Sequence, residues 1–67
     1  MIELIQITLK AARINAGLTL KEASERLDIN MSTLRSWEDL TTFPNAKQIK
    51  KIEEVYNMPY DNIKFFN

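Results

Sequence analysis

The stretch from Thr19 to Glu38 constrains this chain more than any other. Thr19 and Glu22 form a Thr-x-x-Glu pair. The hydroxyl can accept from the N3 amide while the carboxylate reaches back to the N-cap amide, so a helix starts here. Leu20, Ala23 and Leu27 follow at helical spacing and give that helix an inner stripe. Asp28, Ile29 and Asn30 make a short turn, and asparagine is a favoured N-cap residue for the helix that comes next. Leu34 and Trp37 are the buried pair of that helix. Helices this short are marginal in isolation, so the rest of the chain must cover their apolar faces.

The remaining sequence supplies more helices. Ile5, Leu9, Ala12 and Ala16 share one face of a first helix, expected from Glu3 to Ala16. Gly17, the only glycine, falls where a left-handed C′ residue is wanted. Pro44 closes an irregular loop that starts near Asp39. Asn45 and Gln48 repeat the reciprocal capping pattern, and Ile49, Ile52, Val55 and Tyr56 form the stripe of a fourth helix. Asn57 suits a left-handed exit and Pro59 blocks continuation. A last helical turn or two is expected from Tyr60 to about Phe65. The fold class is therefore all-α, a compact bundle of about five short helices in a single domain over residues 1–67.

Composition removes several classes of function. The chain has 67 residues and contains neither cysteine nor histidine. Disulfides and thiolate metal sites are excluded, as are the commonest general base and the commonest transition-metal ligand. Glu53 and Glu54 are adjacent on a helix and point in different directions, so they do not make a catalytic dyad. No glycine loop could cradle a phosphate. Neither an enzyme nor a cofactor, metal or small-molecule ligand is expected. No apolar run approaches the roughly 18 residues that span a bilayer, and the N-terminus lacks a basic-then-apolar leader, so a cytoplasmic protein without membrane contact is expected. Net charge is zero, so any positive patch must come from the arrangement of charges.

The segment LTLKEASERLDINMSTLRSWE, Leu18 to Glu38, resembles the helix-turn-helix of the Cro/repressor (XRE-like) family, phage Cro among them. The resemblance extends outward. Arg13 precedes Gly17 at the family's distance, Pro44 ends the loop after the third helix, and Val55 to Ile63 is similar to the final core segment. It implies a lambda-repressor-like DNA-binding domain with the helix-turn-helix at helices two and three. It also implies a transcriptional repressor or other regulator that binds double-stranded DNA, and an ion pair between Arg13 and Glu38.

In that family the third helix enters the major groove. The base-facing positions correspond to Asn30, Met31, Ser32, Arg35 and Ser36. Helical geometry independently turns Ser32 and Ser36 away from Leu34 and Trp37, with Arg35 at the flank. Asn30 either reads adenine or caps the helix, with capping put first. Met31 either touches a thymine methyl or completes the core. The positions that meet phosphate in the family correspond to Thr41, Thr42, Asn45 and Lys47, with Lys10 and Lys50 weaker candidates.

The sequence also departs from the family. Asp28 replaces a glycine at the turn, Ser24 an alanine, and Asp39–Leu40 an Asn-Gly pair; Leu20 stands where a glutamine often meets phosphate. From Leu18 to Phe43, Lys21, Arg26 and Arg35 face Glu22, Glu25, Asp28, Glu38 and Asp39. So few cations imply weak non-specific binding. A homodimer, or pairing with a partner chain, on a two-part operator is therefore expected. Phe65 and Phe66 suggest one ring in the core and one at a dimer interface. The alternative is a helix-turn-helix fold used as a protein-interaction module, antitoxin-like or anti-repressor.

Overall fold

A computed structural model describes residues 6–65 of the chain. A short strand, β1 (Ile7–Thr8), leads into α1 (Leu9–Asn15). Three further helices follow: α2 (Leu20–Leu27), α3 (Met31–Glu38) and α4 (Ala46–Tyr56). A 3₁₀ turn (Tyr60–Asn62) and strand β2 (Ile63–Lys64) complete the described residues. The expectation of about five helices thus reduces to four α-helices, a 3₁₀ turn and a small parallel strand pair.

Both corrections lie at the ends, and both have a local cause. The first helix starts at Leu9 because the Thr8 hydroxyl accepts from the Ala11 amide at 3.0 Å, which fixes the N-cap. Upstream, Ile7 and Thr8 run extended beside Ile63 and Lys64, in the register Ile7↔Ile63 and Thr8↔Lys64. β-branched residues suit that pleat better than a helix. The expected helix from Tyr60 to Phe65 gives way for the same reason: Ile63 turns extended, with φ −114° and ψ 130°. Ile5, assigned to the first helix by its spacing, lies outside the described residues.

Helices α2 and α4 begin as their sequences require. Thr19 and Glu22 exchange hydrogen bonds of 2.9 and 3.1 Å, and Asn45 and Gln48 exchange two of 2.8 Å. Gly17 takes φ 76°, and a methyl group placed on it would meet nothing within 4 Å. The glycine is needed there for its backbone conformation, not for space. Asn57 takes the left-handed exit of α4 with φ 50°.

The core gathers Leu9, Ala12, Leu18, Ala23, Leu27, Leu34, Trp37, Ile52, Tyr56, Ile63 and Phe65. Ala16, Leu20, Ile29, Ile49 and Val55 pack against it half-buried. α2 lies against both α3 and α4, and the small residues Ala23 and Ser24 are buried on it. Ser24 stays satisfied because its hydroxyl donates to the Lys21 carbonyl at 2.8 Å. Phe65 is the ring that turns inward, stacked on Tyr60 with centroids 5.6 Å apart. Phe65 and Phe66 are both candidates for a dimer interface; the buried Phe65 is the inward ring, and Phe66 lies outside the described residues.

Candidate nucleic-acid interface

The outer face of α3 is only as well defined as the joint that orients the helix. Leu34 and Trp37 are three residues apart and both buried, which fixes the rotation of α3 about its axis. Its C-terminal end is tied to α1. Arg13 Nε donates to Glu38 Oε2 at 2.8 Å, Nη2 donates to Oε1 at 3.3 Å, and Nη1 donates to the Leu18 carbonyl at 3.0 Å. Both side chains are about nine-tenths buried, at 10% and 7% exposure. The planar guanidinium can serve a carboxylate and a carbonyl together, which an ammonium could not do with the same geometry. The hydrogen bond to Glu38 holds the Arg13 pKa above its ordinary value. The pairing implied by the family resemblance is present, and it sits beneath the surface.

Tyr56 packs close to this pair. Burial, reinforced by the charge of Glu38, pushes its phenol well above the ordinary range, with Arg13 acting in the opposite sense. Its hydroxyl is buried and has no hydrogen-bond partner among the described residues.

The base-facing candidates divide into two groups. Met31, Ser32 and Arg35 are exposed on the outer face of α3, and Met31, at 43% exposure, stands off the core. Among the described residues Arg35 forms no ion pair. Asn30 occupies the N-cap position with φ −75° and ψ 150°, but its side chain makes no capping bond. The role put first for Asn30 is therefore corrected. Its backbone carbonyl accepts from Leu34 at 3.1 Å, and the residue is exposed. Ser36 differs: it is half-buried, and its hydroxyl lies 2.7 Å from those of both Thr41 and Thr42.

The phosphate candidates lie in the loop after α3 and at the start of α4. Thr41, Thr42, Asn45 and Lys47 are all exposed. Asn45 is engaged in the α4 capping box, while Lys47 projects from that helix's first turn. Lys10 and Lys50 are exposed as well. The two turns that flank α3 both keep the left-handed geometry that glycine would favour. Asp28 adopts φ 58° and Leu40 φ 62°.

Two features were missed in the sequence. One is the meeting of Ser36 with Thr41 and Thr42; its signal is three hydroxyl residues around a helix end that lacks its glycine. The other is the placement of the lysines. Lys47, Lys50 and Lys51 share one face of α4 and line an open groove together with Leu27, Ile29 and Trp37. Their i, i+3, i+4 spacing is visible in the sequence, but the wall they face is not. Zero net charge is thus compatible with a local basic ridge, since only Asp28 and Glu54 oppose it along that groove.

The helix-turn-helix family model matches residues 9–63, from the first residue of α1 to the first of β2. The chain belongs to the XRE-like helix-turn-helix family. It is also 38% identical over 53 residues, 79% of its length, to the HTH-type transcriptional regulator ImmR of Bacillus subtilis (strain 168). The match spans 42% of that protein. No solved structure matches. Within this helix-turn-helix chain, no helix among the described residues is long and apolar enough to cross a membrane. Nor do the described residues bring together three acidic, histidine or cysteine side chains able to hold a metal.

Proposed function

We propose that the chain is a sequence-specific, non-enzymatic DNA-binding transcriptional regulator of the Cro/repressor type. It inserts α3 into the major groove and acts as a homodimer. One observation carries this reading. α3 is clamped at its C-terminal end by a buried ion pair, while Asn30, Met31, Ser32 and Arg35 stand exposed along its outer face.

In this reading Arg35 pairs with guanine O6 and N7, the Asn30 amide meets adenine, and Met31 packs on a thymine methyl. Ser32 adds a hydroxyl beside them. Thr42, Asn45 and Lys47 bracket the adjacent phosphates and set the register, with Thr41 bonded to Ser36 behind Thr42. The homodimer follows from the shortage of cations: two weak half-sites about 34–36 Å apart bind usefully only together. The description of ImmR as a transcriptional regulator supports the reading.

The test is selection of bound sequences from a random DNA pool, followed by binding of the best site to the Arg35→Ala protein. A two-part site is expected, and the substitution should weaken binding about 5- to 150-fold, corresponding to about 1–3 kcal/mol, and relax preference at one base position. If no selected site binds better than random duplex at low salt, the reading fails. A protein-interaction module would behave in that way.

A further inference from the structure

The three hydroxyls at the end of α3 form a directed chain, and its direction follows from counting hydrogens. Each hydroxyl carries one. Thr41 Oγ1 donates to the Ser36 carbonyl at 3.0 Å, so its hydrogen is taken. Across the 2.7 Å contact with Thr41, Ser36 Oγ must then be the donor. With its own hydrogen committed, Ser36 Oγ can only accept across the second 2.7 Å contact, from Thr42. The sequence of donation is Thr42 to Ser36 to Thr41 to the Ser36 carbonyl.

This order has a consequence for DNA. Phosphate oxygens only accept, and in this direction no hydroxyl hydrogen of the chain faces outward. The reverse direction is also open: Thr41 donates to Ser36 Oγ, Ser36 donates to Thr42, and Thr42 donates outward. Reversal requires rotation of three hydroxyl hydrogens and no movement of heavy atoms. It gives up one bond, to the Ser36 carbonyl. That oxygen keeps the Thr41 amide at 3.0 Å and the Thr42 amide at 3.5 Å. Thr42 is exposed, so its hydroxyl can reach an acceptor in solvent.

The loop also needs to be held. Leu40 sits at φ 62°, a conformation costing a non-glycine residue about 1–2 kcal/mol. Ser36, by its hydroxyl and its carbonyl, contacts both residues that follow Leu40.

We infer that Ser36 is a positioning residue rather than a base reader. It holds Thr42 as a phosphate donor, and the hydroxyl chain reverses when a phosphate oxygen binds. This rests on the DNA-binding reading above. Linked hydrogen bonds polarise one another, so the outward Thr42 donor is strengthened by the two behind it.

The test measures binding of wild type, Ser36→Ala, Thr42→Val and the double variant to a selected site and to a scrambled duplex, over a range of salt. Ser36→Ala should weaken both complexes by a similar factor, about two- to tenfold for one hydrogen bond. The salt slope should not change, because a neutral donor releases no counterion. The double variant should bind no worse than Thr42→Val alone. Three results would overturn the inference: unchanged affinity in Ser36→Ala, a loss confined to the selected site, or single losses that multiply. Amide exchange at Thr41 and Thr42 is followed in the same proteins without DNA. If wild type binds neither duplex, the functional reading falls and the donor role falls with it. Faster exchange in Ser36→Ala then still upholds the clamp, and unchanged exchange removes it as well.

Discussion

The two ends of α3 are held in opposite ways. At the C-terminal end Glu38 meets Arg13 at 2.8 Å, Trp37 is buried, and Ser36 gathers the following loop. At the N-terminal end Asn30 makes no side-chain cap and Met31 is exposed. α2 and α4, by contrast, each start with a complete capping box. α3 is therefore the one helix of these three whose start forgoes a local stabilisation that its sequence could provide. Such local inconsistency is expected where groups are kept for a ligand. Anchoring at one end leaves the other end's polar groups unengaged.

The largest expected effect tests the anchored end. Arg13→Ala or Glu38→Ala strands a charge that is about nine-tenths buried, and each should cost about 3–5 kcal/mol in urea denaturation. Replacing both residues should cost less than the two single losses added, because neither charge is then left alone. Single losses below about 1 kcal/mol would show that the pair is screened like a surface bridge, and the contrast between the two ends would collapse.

A smaller effect tests the open end. Thr19→Ala and Asn45→Ala each remove a formed cap and should cost about 1 kcal/mol. Asn30→Ala removes no cap bond, so its cost should be clearly smaller in the same thermal melts. Equal costs at all three positions would mean that Asn30 caps α3 in solution, and its amide would then have no claim on a base.

Only part of this contrast was legible in the sequence, at either end of α3. Capping boxes, the left-handed Gly17 and the Leu34–Trp37 pair are set by neighbours within one helical turn, so the residues alone announce them. Arg13 and Glu38 lie far apart in the chain, and their pairing was available only through resemblance to a family. The absence of a cap at Asn30 could not be read, because residue type gives the capacity to bond and not its use. Ile7 and Ile63 escaped for a related reason. A pair of two-residue strands leaves no period to detect, and the pairing partner is at the other end of the chain. Helical spacing turned Ser36 away from Leu34 and Trp37, but it could not show that the side chain is half-buried by hydroxyl partners from a loop whose path is irregular.

The smallest effect compares the turns on either side of α3. Both are left-handed and neither has glycine, but aspartate enters that region more readily than leucine. Leu40→Gly removes a conformational cost of about 1–2 kcal/mol and returns about 0.4–1 kcal/mol through the greater freedom of the unfolded chain. The two backbone terms leave a gain of about 0–1.6 kcal/mol, lessened by loss of the half-buried leucine side chain. Asp28→Gly has less strain to relieve against the same unfolded-state term, so it should be neutral or slightly destabilising. Urea midpoints for the two variants decide the matter. If Asp28→Gly proves the more stabilising, Leu40 is not the strained residue of the pair, and the hydroxyls of Ser36, Thr41 and Thr42 have no strain to hold in place.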